Sequence, residues 1–182
     1  MYEVLDLRFR GGDDFSEWRV MPNNNLPPDP FADRTFAAYG ADLRAGRVTA
    51  ERVTRDYLDR IEALAPRLTP YVQVTAERAM QTARGIDQVL AGGTDLGPLM
   101  GVPVAVKDLF AVEGTDTRAG SRLDVKDIIG PEGSFVKKLK RAGCIVLGKT
   151  STTEFALGSF NFCACERTAG RAACAAGARG PG

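Results

Sequence analysis

Lys107 is the residue of this sequence best placed to do chemistry. It directly follows Val102–Val106, an apolar, β-branched run that predicts a buried strand, and it is followed by Asp108. A lysine at a strand end usually extends into solvent, but the carboxyl ends of strands in open α/β sheets are also where ligands bind. Partial loss of hydration there lowers the pKa of an amine and lets it accept protons near neutral pH. Lys107 is therefore the candidate general base.

The 182 residues contain no histidine. Catalysis by Ser-His-Asp or Cys-His groups is excluded for such a sequence, as is every metal site that needs a histidine. A base for hydrolysis must then be a carboxylate, a lysine or a tyrosine, which strengthens the candidacy of Lys107. We expect no cofactor and no bound metal.

A second lysine lies in a phosphate-binding pattern. The stretch Gly143–Thr150 fits the P-loop form G-x-x-x-x-G-K-S/T letter for letter. A P-loop exposes its x positions after a buried strand, whereas here they are Cys-Ile-Val-Leu and follow an amphipathic helix. We interpret the stretch as a helix-ending glycine, a buried strand and an exposed Lys149. A nucleotide-binding module that uses Gly143–Thr150 is kept as the alternative from another functional class.

The last part of the sequence differs in composition from the rest. Residues 161–182 are mostly Ala, Gly, Arg, Cys and Pro, with almost no hydrophobic pattern. Cys163, Cys165 and Cys174 suggest metal binding, but a fourth ligand is missing from any usual zinc spacing. An out-of-frame reading of a GC-rich gene accounts for both the composition and the clustered cysteines, and we favour it.

The elements that position Lys107 follow from periodicity and capping signals. Amphipathic helices are expected after the candidate N-caps Asp33, Thr49 and Thr75. A short strand is expected at Val72–Val74, and Val102–Val106 is expected to be buried on both faces.

Two further elements follow the candidate base. Cys144–Leu147 predicts a second buried strand, preceded by a helix that Gly133–Ser134 caps. Ser151–Glu154 has capping-box spacing and predicts a short helix through Leu157. Helices alternating with apolar strands predict an α/β fold with a largely parallel sheet.

Composition excludes several partners. The chain is 44% hydrophobic and 26% charged, with a net charge of +1, which suits a globular domain. Without a basic stripe we expect neither nucleic acid nor a membrane surface as partner. No apolar run approaches the ~20 residues that span a bilayer, and the N-terminus is unlike a signal peptide. We expect a cytoplasmic protein.

Gly97–Phe110 resembles the start of the amidase signature family. Three later stretches resemble it in the same order and spacing: Gly114–Ser121, Phe135–Gly143 and Gly148–Gly158. The resemblance implies an α/β, largely parallel mixed sheet covered by helices. It also implies hydrolysis of carboxamide C–N bonds through a Ser–cisSer–Lys triad, with a small-molecule amide as substrate. Lys107 matches the catalytic lysine of the family.

The sequence departs from the family after Gly158. The Gly-Gly-Ser-Ser-Gly-like segment and the later nucleophilic serine do not appear, and we interpret Ser121, Ser134, Ser151 and Ser159 as loop and cap residues. The expected organisation is an N-terminal extension and Pro/Asn-rich loop at 1–32, an incomplete amidase domain at 33–160 and an aberrant tail at 161–182. Such a truncated chain would retain only the lysine of the triad and be inactive.

Two alternatives stay open beside the hydrolase. Within the family, the chain also resembles the glutaminase-like subunit of a tRNA-dependent amidotransferase. Outside it, an incomplete sheet predicts a non-catalytic fragment that associates through an open strand edge. The oligomeric state, a homo-oligomer included, is left open by the sequence.

Overall fold

The structure, a computed structural model, describes residues 4–5, 20–21, 27, 29–32, 34–65 and 69–157. The tail at 161–182, with Cys163, Cys165 and Cys174, lies outside the described residues, as do Ser159 and most of the extension at 1–32. In chain order the elements are β1 (Val4–Leu5), β2 (Val20–Met21), α1 (Phe36–Arg44), α2 (Ala50–Leu64), β3 (Tyr71–Val74), α3 (Ala76–Ala91), β4 (Pro103–Lys107), α4 (Lys126–Ile129), α5 (Ser134–Arg141), β5 (Ile145–Thr150) and a 3-10 turn at Glu154–Ala156.

A mixed sheet in the order β3-β5-β4 forms the centre of the described chain. The middle strand β5 runs parallel to β4 and antiparallel to β3. Helices pack on this sheet, so the expected α/β fold is confirmed, with one parallel and one antiparallel strand pair. Strands β1 and β2 form a separate antiparallel pair.

Burial differs between the two parallel strands. Ile145–Lys149 of β5 is buried throughout, as expected for a strand covered on both faces. The same expectation is wrong for Val102–Val106, because Ala105 is exposed and Val104 is only half-buried. The reason is position: β4 is the edge strand of the described sheet, and only β5 lies beside it.

Two apolar clusters cover opposite faces of the sheet. The larger one joins helices α1, α2 and α3 to Ile145 and Leu147 of β5, whereas the smaller one joins Val136 of α5 to Val146 and Val106. Successive residues of a strand point to opposite faces, which explains how Val146 packs away from its two neighbours. The described core is therefore a sheet between a three-helix layer and α5.

Side-chain oxygens fix the starts of α1 and α2 by accepting hydrogen bonds from their first N–H groups. Thr35 caps α1 by accepting from the Ala38 N–H at 3.1 Å, so the expected cap at Asp33 is wrong by two residues. Thr49 caps α2 as expected. The carboxylate of Asp87, from α3, also accepts from the first two N–H groups of α2, at 2.7 and 3.0 Å. The Asp87 carboxylate therefore fixes the start of α2 against α3.

Tyr39 ties α1 to the chain just before β4. Its hydroxyl donates to the Gly101 carbonyl at 2.8 Å, and the residue is buried. Burial first, and the Asp87 carboxylate second, raise the pKa of the Tyr39 phenol above its ordinary value. None of the helices in the described ranges is long and apolar enough to cross a membrane.

The P-loop-like stretch forms a strand, as its apolar residues predicted. The N–H groups of Gly143, Cys144 and Ile145 donate to the carbonyls of Lys140, Leu139 and Val102, and β5 continues to Thr150. A Cβ at Gly148 would overlap the carbonyl of Gln73 on β3. The glycine of the pattern is therefore explained by the close approach of two strands.

Candidate active site

Lys107 ends β4 at its carboxyl end and is exposed. The chain turns immediately, with the Phe110 N–H donating to the Lys107 carbonyl at 3.0 Å. The expected partial burial of this ammonium is not present among the described residues. Ala105, two residues earlier on the same face, is also exposed, so the described chain leaves this end of β4 uncovered around the candidate base.

Lys149, unlike Lys107, is buried, so the prediction that it is exposed is wrong. The side chain is 0% exposed. Its ammonium contacts the Asp108 carboxylate at 2.8 Å, the Thr117 hydroxyl at 2.8 Å and the Asp116 carbonyl at 3.2 Å. Because an ammonium has three N–H donors, these partners satisfy all of them, which makes burial of the charge tolerable.

The two lysines leave the sheet on opposite faces. Lys149 pairs with Val106 across the parallel ladder, and Lys107 pairs with Thr150. Paired residues share a face and successive residues alternate, so Lys149 lies on the face of Val106 and Lys107 on the other. A register shift between Val104 and Ala105 directly precedes these pairs, as is common for irregularities beside functional sites.

Asp108 connects β4 to the loop 116–121. Besides Lys149, its carboxylate accepts from the Arg118 N–H at 3.2 Å, and its backbone carbonyl accepts from the Ala119 N–H at 3.0 Å. Its own N–H donates to the Thr150 carbonyl at 2.9 Å, and the residue is 2% exposed. One buried residue thus fixes the strand end, the adjacent strand and the loop.

The backbone of this loop is strained. Ala119 has a φ of 51°, and Phe155, whose N–H donates to the Ala119 carbonyl at 2.7 Å, has a φ of 49°. Side-chain-bearing residues rarely adopt such values, and each costs on the order of 1–3 kcal/mol. Gly120 lies between the two segments, where a Cβ would meet the Thr152 carbonyl at 2.5 Å. The loop therefore packs directly against residues 152–155.

Residues 151–157 are not the regular helix that the capping-box spacing predicted. The 3-10 turn covers only Glu154–Ala156, and its N-cap is Thr153 rather than Ser151. Glu154 bonds elsewhere: its carboxylate accepts from the Ser121 hydroxyl at 2.7 Å. Ser121 is a loop residue as expected, and its hydroxyl also accepts from the Leu123 N–H.

Sequence reasoning missed the ion pair of Asp108 and Lys149. The two residues are 41 positions apart. The sequence pattern places Lys149 after the end of the strand and therefore predicts that it is exposed. The signal was present, because Lys149 lies only two residues after an apolar run and an acidic residue follows the other strand. A lysine inside a central strand needs a buried partner.

A polar cleft of about 200 Å³ lies along the same loop, lined by Asp116–Arg118 and Ser121–Val125. Lys107 does not line it. Among the residues that the structure describes, no group of three acidic or sulfur-containing side chains is placed to hold a metal ion.

Comparison with known proteins finds one family. The family described as Amidase matches residues 52–166. The chain is also similar to the A subunits of glutamyl-tRNA(Gln) amidotransferases from two bacteria. It is 43% identical over 126 residues to that of Acidothermus cellulolyticus, and 43% identical over 130 residues to that of Granulibacter bethesdensis. These alignments cover 69% and 71% of this chain but 25% and 26% of the relatives.

Solved structures show the same likeness. Native peptide amidase from Stenotrophomonas maltophilia superposes with a TM-score of 0.64 at 32% identity, over 70% of this chain and 26% of that chain. Fatty acid amide hydrolase, at 20% identity and a TM-score of 0.62, shares the fold. The chain spans about a quarter of the length of the relatives it matches.

Proposed function

Because the chain belongs to the amidase family, we propose that it contributes the general base of a hydrolase that cleaves carboxamide C–N bonds. The base is Lys107. The observation that supports this role most strongly is its position at the carboxyl end of β4, inside the family match and exposed at the surface.

The chemistry is that of a nucleophile activated by an amine in place of an imidazole. The neutral amine of Lys107 accepts a proton from a bridging serine, which accepts one from the nucleophilic serine as its oxygen attacks the amide carbon. The proton then passes to the departing nitrogen, so the amine or ammonia leaves neutral and an acyl-serine ester remains. Water attacks this ester with the same proton relay, which releases the carboxylic acid and restores the serine. A neutral lysine requires loss of hydration, and the exposed face around Ala105 and Lys107 is where a serine-bearing segment would exclude water.

Neither serine of the triad is among residues 1–160. The hydroxyl of Ser121 is engaged with Glu154, and Ser134 lies in the first turn of α5. We therefore propose that the 182 residues alone hydrolyse no amide. The composition of 161–182 favours an out-of-frame tail that replaces the serine-bearing part.

A second candidate function is supported by the curated relatives. Both are the A subunits of glutamyl-tRNA(Gln) amidotransferases. On this alternative the completed protein is the glutaminase-like subunit of a tRNA-dependent amidotransferase, which works in a complex and passes ammonia to a partner. The chemistry of Lys107 is the same in both cases, and the amide donor differs.

The test begins with the DNA after codon 160, read in all three frames. We expect a shifted frame that encodes a Gly-Gly-Ser-Ser-Gly-like run and several hundred further residues. The protein completed in that frame should release ammonia from simple aliphatic or aromatic amides, and the 182-residue chain should not. Turnover of glutamine alone, dependent on partner subunits, would favour the second candidate. A folded, completed protein that releases ammonia from none of these amides would refute the proposal.

A further inference from the structure

We propose that Lys149 is a positioning residue for the site: its buried ammonium fixes the loop 116–121 against the end of β4, one residue from the candidate base. This inference rests on the proposed function of Lys107. It assigns to the lysine of the P-loop-like stretch a role that involves no nucleotide.

The contacts of Lys149 reach two separate parts of the chain. Its three N–H donors contact Asp108, which follows Lys107, and Asp116 and Thr117, which begin the loop. A lysine that only filled space in the core would not need three oxygen partners from two segments. A lysine that faced solvent would not be fully buried. The side chain therefore acts as a link between the strand end and the loop.

Asp108 completes the link from the other side. The carboxylate that Lys149 contacts also accepts from the Arg118 N–H, and the Asp108 carbonyl accepts from the Ala119 N–H. Orientation of this carboxylate therefore sets where the loop backbone lies. Because Lys107 and Asp108 share a peptide group, the same contacts limit how the backbone of Lys107 can move.

The strained backbone shows what the link holds in place. Left-handed conformations at Ala119 and Phe155 persist only where surrounding contacts over-determine them. Each of these residues lies within the hydrogen-bonded chain from Asp108 through Ala119 to Phe155. Without the ion pair we expect the loop to relax toward unstrained conformations, because fewer contacts would oppose the strain.

A buried ion pair does not by itself imply positioning, since apolar replacements of such pairs are often neutral for stability. The test therefore uses a double variant, Asp108→Asn/Lys149→Met, which leaves no unpaired buried charge. Amide hydrogen exchange of the 182-residue chain at micromolar concentration is measured for Arg118, Ala119 and Phe155, and for core amides in α2 and α3. The matched control is Lys140→Met, which removes a half-buried lysine whose ammonium contacts Glu132, outside the loop, at 2.5 Å.

We expect the three loop amides to exchange at least about tenfold faster in the double variant, while α2 and α3 keep their protection, because charge-assisted contacts of the loop are lost. The control should leave the loop unchanged. Unchanged loop exchange in a folded double variant would overturn the proposal. Equal acceleration throughout α2 and α3 would also overturn it, since the pair would then set only global stability. If the double variant does not fold, Thr117→Val, which removes one acceptor of the Lys149 ammonium and leaves the ion pair with Asp108 intact, is judged by the same two criteria.

Rate measurements on the completed enzyme distinguish failure of this inference from failure of the proposed function. There the double variant should lower kcat at least about tenfold with KM nearly unchanged, as for lost alignment of reacting groups. Unchanged kcat alongside a loosened loop would contradict a role in positioning. Absence of amide turnover in the unmodified completed enzyme would instead refute the proposed function, and the exchange results would still decide whether Lys149 orders the loop.

Discussion

Burial separates the roles of two lysines on adjacent strands. Lys107 is exposed at the end of β4, whereas Lys149 is enclosed by three oxygen partners within β5. The position of Lys107 after an apolar strand was predictable from the sequence. The burial of Lys149 was not, because it depends on a loop that folds back from residues 116–121, and no local pattern encodes that return.

The structure changes what is expected of Lys149→Ala, for which an exposed lysine would have predicted little effect. Removing the ammonium leaves the Asp108 carboxylate buried without its charge partner, which typically costs about 3–5 kcal/mol. We expect a loss of that order in the free energy of unfolding, measured by urea titration. Lys138→Ala, at an exposed lysine of α5, should change the free energy of unfolding by no more than about 0.5 kcal/mol. Equal small losses for both variants would contradict the buried geometry.

Tyr39 gives a prediction for alkaline pH. Its phenol has a raised pKa in the folded chain, so the unfolded chain loses this proton first, at about pH 10. The contribution of Tyr39 to the free energy of unfolding is therefore complete below pH 10 and is lost as the pH rises above it. Tyr39→Phe should cost about 1 kcal/mol at pH 8 through the lost bond to Gly101, and less at pH 11. Urea titrations of both proteins at the two pH values measure this, and a constant difference would contradict it.

At the scale of elements, periodicity and capping residues predicted where helices and strands lie better than they predicted which side chains are buried. Thr49 and Thr75 mark the starts of α2 and α3, and β5 follows the apolar run that predicted it. The helix expected after Ser151 fails because Glu154, the capping-box partner, bonds instead to Ser121. The helical period of α5 predicts that Phe135 faces inward with Val136, but Phe135 is 54% exposed and packs on Phe110. Both differences arise from tertiary contacts that local spacing does not contain.

Substitution of Asp87 tests how α2 and α3 are joined. Its carboxylate accepts from the N–H groups of Ala50 and Glu51 at the positive end of α2. Asp87→Ala should lower the free energy of unfolding by about 1–2 kcal/mol, as for the loss of an N-cap. Asp56→Ala, which breaks an i,i+4 pair with Arg52 on the surface, should cost no more than about 0.5 kcal/mol. Thermal or urea melts compare them, and the reverse order would refute this role of Asp87.

The strand β5 predicts the outcome of a nucleotide titration. Its N–H groups and those just before it are used within the fold, and the Lys149 ammonium is bonded to three oxygens. We expect no binding of ATP or GTP tighter than about 1 mM, measured by calorimetry with Mg²⁺ present. Micromolar, Mg²⁺-dependent binding would show that Gly143–Thr150 acts as a P-loop.

For the whole molecule, the family was identifiable from the sequence, and the comparisons confirm it. No single stretch was sufficient; the order and spacing of Gly97–Phe110 and the stretches after it indicated the family. Large apolar side chains are exposed both before and after β4 in the described chain, and those after it are Phe110, Leu123, Ile128, Phe135, Phe155 and Leu157. Phe110 and Phe135 lie together, with ring centroids 5.2 Å apart. Phe110 follows Lys107 by three residues, so this exposed aromatic pair begins close in sequence to the candidate base.

Lys107 carries the central claim, and one rate comparison tests it most directly. In the completed protein that we propose a shifted frame encodes, kcat for amide hydrolysis is measured without substitution and for Lys107→Arg, with a thermal melt for each. Arginine keeps the positive charge and length but cannot give up its proton. We expect Lys107→Arg to fold normally and to lose kcat by about a thousand-fold or more, as for removal of a base that acts with its nucleophile. A folded Lys107→Arg variant with near-normal kcat would show that Lys107 is not the base.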